Sequence, residues 1–263
     1  MRRLRRLVQK RSLRWSEGVC VLEGPDLVNA ALESGVEFEA IYVDVVEGAS
    51  ASLVALLERA AKLGVRVFSL DAGVLAKVAD AQTPQPVLAA VRFEQFEVES
   101  LAVTGLTLVL HDLRDPGNAG TIIRSADAAG VRAVILTGQS VDPFNPKTLR
   151  ATAGSAFHLP VVVATLERTL AHFSAGGATS FATVVRGGIN FRSVDFSRPT
   201  LVAIGNEATG LDRESVALFS GAISIAMAGK SESLNAGVAA SLVAFEALRQ
   251  LEVATPTSPP PSL

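Results

Sequence analysis

Short apolar runs alternate with stretches of helical periodicity along almost the whole chain. Leu4, Leu7 and Val8 recur at the spacing of one helical face. The run 19–22 predicts a buried strand. Pro25 then opens a helix whose apolar positions Leu27, Val28, Ala31 and Leu32 precede a closing Gly35. Strands are predicted at 38–43, 65–70 and 87–93, helices at 52–63 and 72–79, and a turn at Pro84-Gln85-Pro86. Further strands follow at 106–111, 132–137, 161–164, 179–185, 200–204 and 222–227. A final helix over 235–251 carries Val238, Leu242, Phe245 and Leu248 as an apolar stripe. Such alternation predicts an α/β fold. Residues 94–105 are polar and acidic and read as a linker between a first domain, 1–93, and a second, 106–253. The proline-rich tail 254–263 is expected to be disordered.

Composition narrows the class. At 263 residues, 49% of them hydrophobic, the chain can build two ordinary domains. No apolar stretch approaches the roughly 20 residues of a membrane span, and the N-terminus lacks the apolar core of a signal peptide. The one cysteine, Cys20, lies inside an apolar run and reads as a core thiol, which together with the absence of pairing partners implies a cytoplasmic protein. Three scattered histidines give no metal-ligand spacing, so no metal is expected. The net charge of −2 is unevenly spread. Arg2, Arg3, Arg5, Arg6, Lys10, Arg11 and Arg14 crowd the first 14 residues with no acid, leaving 17 cations against 26 acids elsewhere, a net of −9. A basic arm on an acidic body suits a polyanion, although a solvated leader has the same composition.

Three strand-then-polar-loop junctions carry the chemistry. The first runs Leu113-Arg114-Asp115-Pro116-Gly117-Asn118-Ala119-Gly120 and on into a helix containing Arg124. The second is Gly205-Asn206-Glu207-Ala208-Thr209-Gly210 after the strand 200–204, and the third spans Ile225, Met227, Gly229, Ser233, Leu234 and Asn235. Loops at the carboxyl ends of parallel strands are where open α/β sheets bind ligands. Nucleotide alternatives fit poorly. No Gly-x-Gly occurs, and Gly229-Lys230-Ser231 lacks the first glycine of a P-loop because position 224 is Ser. Gly117-Asn118-Ala119-Gly120 has the spacing of a KH loop but no basic residue inside it. Taken alone, Ile225, Met227 and Leu234 suit a core, Gly205 a turn, and Ser233 or Asn235 a helix N-cap.

Together with Asp142-Pro143-Phe144-Asn145-Pro146-Lys147, Arg150 and Ala153-Gly154-Ser155, these loops resemble in order and spacing the motifs of the SpoU/TrmH-type RNA ribose 2′-O-methyltransferases of the SPOUT superfamily. Val21-Leu22-Glu23-Gly24 resembles, over a shorter stretch, their N-terminal substrate-binding domain. The resemblance implies an α/β fold: a C-terminal parallel-sheet SPOUT domain with a deep trefoil knot, plus a smaller N-terminal α/β/α RNA-binding domain. It implies S-adenosyl-L-methionine as cofactor, held at Gly205, Ile225, Met227 and Leu234. It implies Arg124, Asn118, Glu207, Ser233 and Asn235 as catalytic residues. RNA would be bound by Arg2, Arg3, Arg5, Arg6, Lys10, Arg11, Lys147 and Arg150. Ribosomal RNA as target and a homodimer whose sites are completed by the partner follow from the same resemblance. Arg124 matches a proposed general base, yet a guanidinium stays protonated, so clamping the ribose or phosphate and stabilising the alkoxide suits it better. The base is left open among a substrate phosphate, water and Glu207. The motif's usual glycine after the glutamate is Ala208 here. A catalytically silent RNA-binding protein of the same fold and a tRNA ribose methyltransferase are the alternatives.

Overall fold

Strand β1 (Val19–Glu23) is buried along its whole length, as its unbroken apolar run requires of a strand covered on both faces. The computed structural model describes residues 1–44, 50–78 and 85–254. In it, β1 joins β2 (Phe38–Asp44), β3 (Val67–Leu70) and β4 (Val87–Arg92) in a sheet ordered β1-β4-β2-β3. Side-chain alternation sends Cys20 and Leu22 of β1 toward one face, where α3 (Pro25–Glu33) and α4 (Ala51–Lys62) press Leu27, Val28, Leu53 and Leu56 onto them. Val19 and Val21 point the other way, under Leu4, Leu7 and Val8 of α1 (Arg2–Gln9). The basic arm is therefore a packed element: α1 and α2 (Arg11–Glu17) form a helical pair, and one of its cations, Arg14, is only 2% exposed.

Arg14 explains an unexpected division of the chain. Its Nε and Nη2 donate to Asp142 Oδ2 (2.8 and 2.6 Å), and its Nη1 donates to the carbonyls of Leu7 (2.6 Å) and Val8 (2.9 Å). Trp15 Nε1 donates to the other carboxylate oxygen, and Trp15 packs edge-on against Phe93 and Phe144. The segment Val141–His158, with α6 (Pro146–Thr152), thus joins Met1–Gln95 in one compact unit, while Phe96–Ser140 and the chain from Leu159 onward form the other. The expected split at 94–105, with 141–158 kept in the second domain, is corrected. Contiguity in sequence suggested it, and a buried charge pair 128 residues apart overrides it. The expected linker is itself packed: Val98 and Leu101 are buried in the second unit's core, and Glu97 and Glu99 pair with Arg168.

The second unit holds β5 (Leu106–His111), α5 (Pro116–Ala128), β6 (Ala133–Thr137), β7 (Val161–Val163), α7 (Leu166–Ala175), β8 (Thr179–Thr183), β9 (Ile189–Asn190), β10 (Thr200–Ile204), α8 (Arg213–Ala217), β11 (Gly221–Ser224) and α9 (Ala236–Ala254). The sheet is parallel throughout and ordered β7-β6-β5-β10-β8-β11-β9. Two-residue β9 was not anticipated, and β11 stops at Ser224 instead of reaching 227. Ile225 and Met227 are consequently loop residues. The helix expected at 72–79 is one 3-10 turn at Leu75–Lys77. Ala79, Pro84 and the tail 255–263 lie outside the described residues. The apolar stripe on α9 faces away from the core. Val238, Leu242 and Phe245 are exposed, and the buried face is Ala240, Val243, Ala244 and Ala247. Small side chains let α9 lie close against α5, where Ser241 Oγ donates to Ser125 Oγ (2.7 Å).

Candidate functional site

Strands β5 and β10 run parallel in register, so their two carboxyl ends release the first and second polar loops side by side. Asn206 ties the loops together. Its Nδ2 donates to the Asp112 carbonyl (2.9 Å), while its Oδ1 accepts from the amides of Ala208 (2.9 Å) and Thr209 (3.2 Å). The second loop then folds back, with Asn206 and Gly210 exchanging backbone hydrogen bonds. A Cβ on Gly205 would collide with the backbone of Gly210 and Leu211, so glycine is required there by the loop's own closure. The left-handed φ of +68° falls on Gly210, not on Ala208, and alanine after the glutamate is accommodated. At the matching point of the first loop Asp112 has a φ of +54°. Its carboxylate is fixed by the Gln139 amide (2.6 Å), which compensates the strain of a non-glycine residue in that region.

Glu207 is the centre of a polar chain. Its Oε1 accepts from the Asp115 amide (2.9 Å) and Asn118 Nδ2 (3.1 Å), and its Oε2 from the Arg114 amide (3.2 Å). Asn118 Oδ1 in turn accepts from Asn235 Nδ2 (2.9 Å). Asn235 Oδ1 caps α9 by accepting from the amides of Gly237 (2.8 Å) and Val238 (3.2 Å). Partial burial pushes the Glu207 carboxyl up, but the hydrogen bonds from Asn118 and from the backbone outweigh it and hold the group below the usual carboxylate range. Its lone pairs are engaged by fixed donors, so Glu207 acts as a bracket for the first loop and is poorly suited to be a general base.

Beside this chain a cleft opens to solvent, with about 870 Å³ of empty space when the solvent at its mouth is included. All four expected cofactor residues, Gly205, Ile225, Met227 and Leu234, line it, as do Glu207 and Ser233. Thr183, Val184 and Val185 at the end of β8, with Ala236 and Ala239 of α9, complete it. The β8 residues were missed because strand order is not written in the sequence: the pairing of β8 with β10 brings them here. The walls combine apolar side chains with exposed loop backbone, the lining expected of a site for an aromatic ring carried on a polar ligand. Asn118, Glu207 and Asn235 are therefore brought together at the loops that bound the cleft. Arg124 is not among them: it is exposed on α5 and makes no hydrogen bond or ion pair with a described residue.

The expected RNA contacts divide. Arg2, Arg5 and Arg6 are exposed on α1, Lys10 between the first two helices, Arg11 at the start of α2, and Lys147 on α6. Arg3 is paired with Glu17 (2.5 Å) and Glu39 (2.7 Å). Arg150 holds the buried carboxylate of Glu23 (2.5 Å). Among the described residues no cluster of three or more His, Cys, Asp or Glu side chains could hold a metal, and no helix is long and apolar enough to cross a membrane.

A parallel α/β unit with a loop-built cleft, joined to a smaller α/β/α unit, defines the class. The SpoU rRNA methylase family matches residues 105–245, more than half of the chain, and an MRM3-like substrate binding domain matches residues 1–89. This chain belongs to the SpoU rRNA methylase family. It is 35% identical over 251 residues to an uncharacterized tRNA/rRNA methyltransferase of Synechocystis, covering 95% of this chain and 90% of that protein. It is 31% identical to RlmP of Bacillus subtilis, a 23S rRNA guanosine 2′-O-methyltransferase, over 86% of each chain. The fold superposes on the SpoU methyltransferase AviRb of Streptomyces viridochromogenes, solved with AdoMet, with a TM-score of 0.84 at 29% identity, covering 95% of this chain and 97% of that one.

Proposed function

We propose that this chain transfers a methyl group from S-adenosylmethionine to a ribose 2′-hydroxyl of ribosomal RNA. The observation that carries the reading is the coincidence of the cleft with the loops that match: Gly205, Ile225, Met227 and Leu234 line one cavity, and Glu207, Asn118 and Asn235 form one polar chain at its edge. Ile225, Met227 and Leu234 suit the faces of the adenine, with loop backbone reading its edge. When bound, S-adenosylmethionine supplies the electrophilic methyl on its sulfonium. Ser233 and Asn235 position the target nucleotide. Asn118, oriented by Glu207, sets the ribose. Arg124 clamps the phosphate and stabilises charge developing on the 2′-oxygen. With Glu207 saturated, the proton passes to a substrate phosphate or to water.

A homodimer and a knotted C-terminal half complete the proposal. The exposed residues Val238, Leu242 and Phe245 give α9 an apolar face of the kind a second copy covers. Arg124 stands on the exposed side of α5, the helix packed against α9, where it is available to a neighbouring copy's site. Segment 225–235 is the part we read as drawn through the knot. The test is ligand selectivity in parallel melts, coupled to mapping of 2′-O-methylation in cellular RNA with and without the protein. S-adenosylmethionine at about 100 times its dissociation constant should add roughly 2.7 kcal/mol of stability. Stabilisation by ATP but not by S-adenosylmethionine or its demethylated product would overturn the assignment.

A further inference from the structure

The first unit carries a feature that the methyl-transfer chemistry does not use. Phe68 on β3 and Tyr42 on β2 are directly paired across the parallel ladder, and their rings stack at 5.5 Å with an interplanar angle of 18°. Strand β3 is the sheet edge, and Phe68 is 47% exposed. An aromatic pair already stacked in parallel, with its outer ring open, is a surface that a planar heterocycle can extend. The pair lies on the sheet face of Leu88, Ala90 and Val21, because Tyr42 packs into the cluster that these residues form with Leu4, Leu7 and Val8. It is therefore the same face that α1 covers at the opposite edge.

Charge on that face is lopsided. Arg2, Arg5, Arg6 and Lys10 are exposed, and none has an ion pair or hydrogen bond from its side chain to a described residue. Two of the acids beside this face are engaged, whereas Asp71, just past β3, is exposed. Asp44 accepts from the amides of Gly73 (2.9 Å) and Leu75 (3.2 Å), and Glu39 is paired with Arg3 (2.7 Å) and Arg92 (3.3 Å). Three strand spacings, about 14 Å, separate the edge strands β1 and β3, a distance that a few nucleotides of single strand bridge. Free cations that track a backbone and an open aromatic stack that takes a base are the two components of single-strand recognition.

We propose that this face docks an unpaired segment of the RNA substrate, with one base stacked on Phe68 over Tyr42 and the flanking phosphates held by Arg2, Arg5, Arg6 and Lys10. The inference rests on the reading of the chain as an RNA methyltransferase, and it adds a second site that selects unpaired RNA. Phe68 is half-exposed at an edge, so Phe68→Leu keeps the apolar contact with Tyr42 while removing the π-face. Binding of a short single-stranded oligoribonucleotide and of a blunt duplex of the same sequence is titrated at several salt concentrations. Phe68→Leu should lose about ten-fold in affinity for the single strand, the size of one lost base stack, and nothing for the duplex. Phe68→Tyr should restore it. Replacing Arg2, Arg5 and Arg6 by Gln should instead weaken both RNAs and flatten the log–log salt slope by about 2. A 5-iodouridine in the single strand should photo-crosslink to the peptide bearing Phe68 or Tyr42. Equal single-strand affinity in Phe68→Leu, or crosslinks confined to other peptides, would overturn the stacking site while leaving methyl transfer intact. A wild-type protein that neither binds nor methylates RNA would overturn the underlying function as well.

Discussion

Arg124 is the residue whose position and expected role contrast most. It is exposed on α5 and its side chain has no partner among the described residues, so removing that side chain should leave stability within about 0.5 kcal/mol. The same Arg124→Ala change should lower methyl transfer by about a hundred- to a thousand-fold at saturating cofactor, the usual effect of deleting one preorganised charge-stabilising donor. Arg124→Lys should not rescue, because an ammonium lacks the planar fork. Near-normal turnover in Arg124→Ala, measured with radiolabelled cofactor, would remove it from the site. Gly205 behaves in the opposite way. Its substitution by alanine drives a methyl into the backbone of Gly210 and Leu211 and should cost about 1–3 kcal/mol, seen as a lowered melting temperature with weakened cofactor binding. At this scale the lining of the candidate cleft was partly readable in the sequence: Gly205, Ile225, Met227 and Leu234 all face it. The polar residues Asn118, Glu207 and Asn235 follow strand ends, where unsatisfied chemistry is expected. What was not readable is which donor meets which acceptor: Glu207 holds Asn118 Nδ2 and the amides of Arg114 and Asp115.

Elements were legible wherever a local pattern decides them, and illegible wherever a distant partner does. The strand runs and the Pro25 and Gly35 helix boundaries needed no tertiary information. In α9 the apolar stripe was legible but what covers it was not: close approach to α5 favours alanines and leaves Val238, Leu242 and Phe245 outside. Phe245→Asp should therefore leave the monomer fold intact and shift sedimentation at micromolar protein from dimer to monomer. An unchanged sedimentation coefficient would refute the α9 interface. Arg14 was counted with the solvated arm because its partner, Asp142, is far along the chain. Asp142→Ala strands a guanidinium that is only 2% exposed and should cost about 3–5 kcal/mol in denaturant unfolding. Adding Arg14→Met to that variant should recover part of the loss, since no buried charge then remains unpaired.

The molecule as a whole is built from a chain that crosses between its two units at three places, after Gln95, after Ser140 and after His158. Composition and periodicity disclosed two α/β bodies but could not disclose this weave, because Phe144 and Leu149 are as apolar as any residue of the second core and carry no local mark of where they pack. The weave has a consequence for biogenesis. During synthesis, the N-terminal sheet emerges before the helix and the carboxylate that close it. Arg14 and the Trp15–Phe93 aromatic pair must wait, partly uncovered, until residue 158 has left the ribosome. The first unit is thus finished only after the opening strands of the second have been made, and a chain truncated at residue 95 is left with an unfilled hydrophobic flank that invites chaperones and proteases.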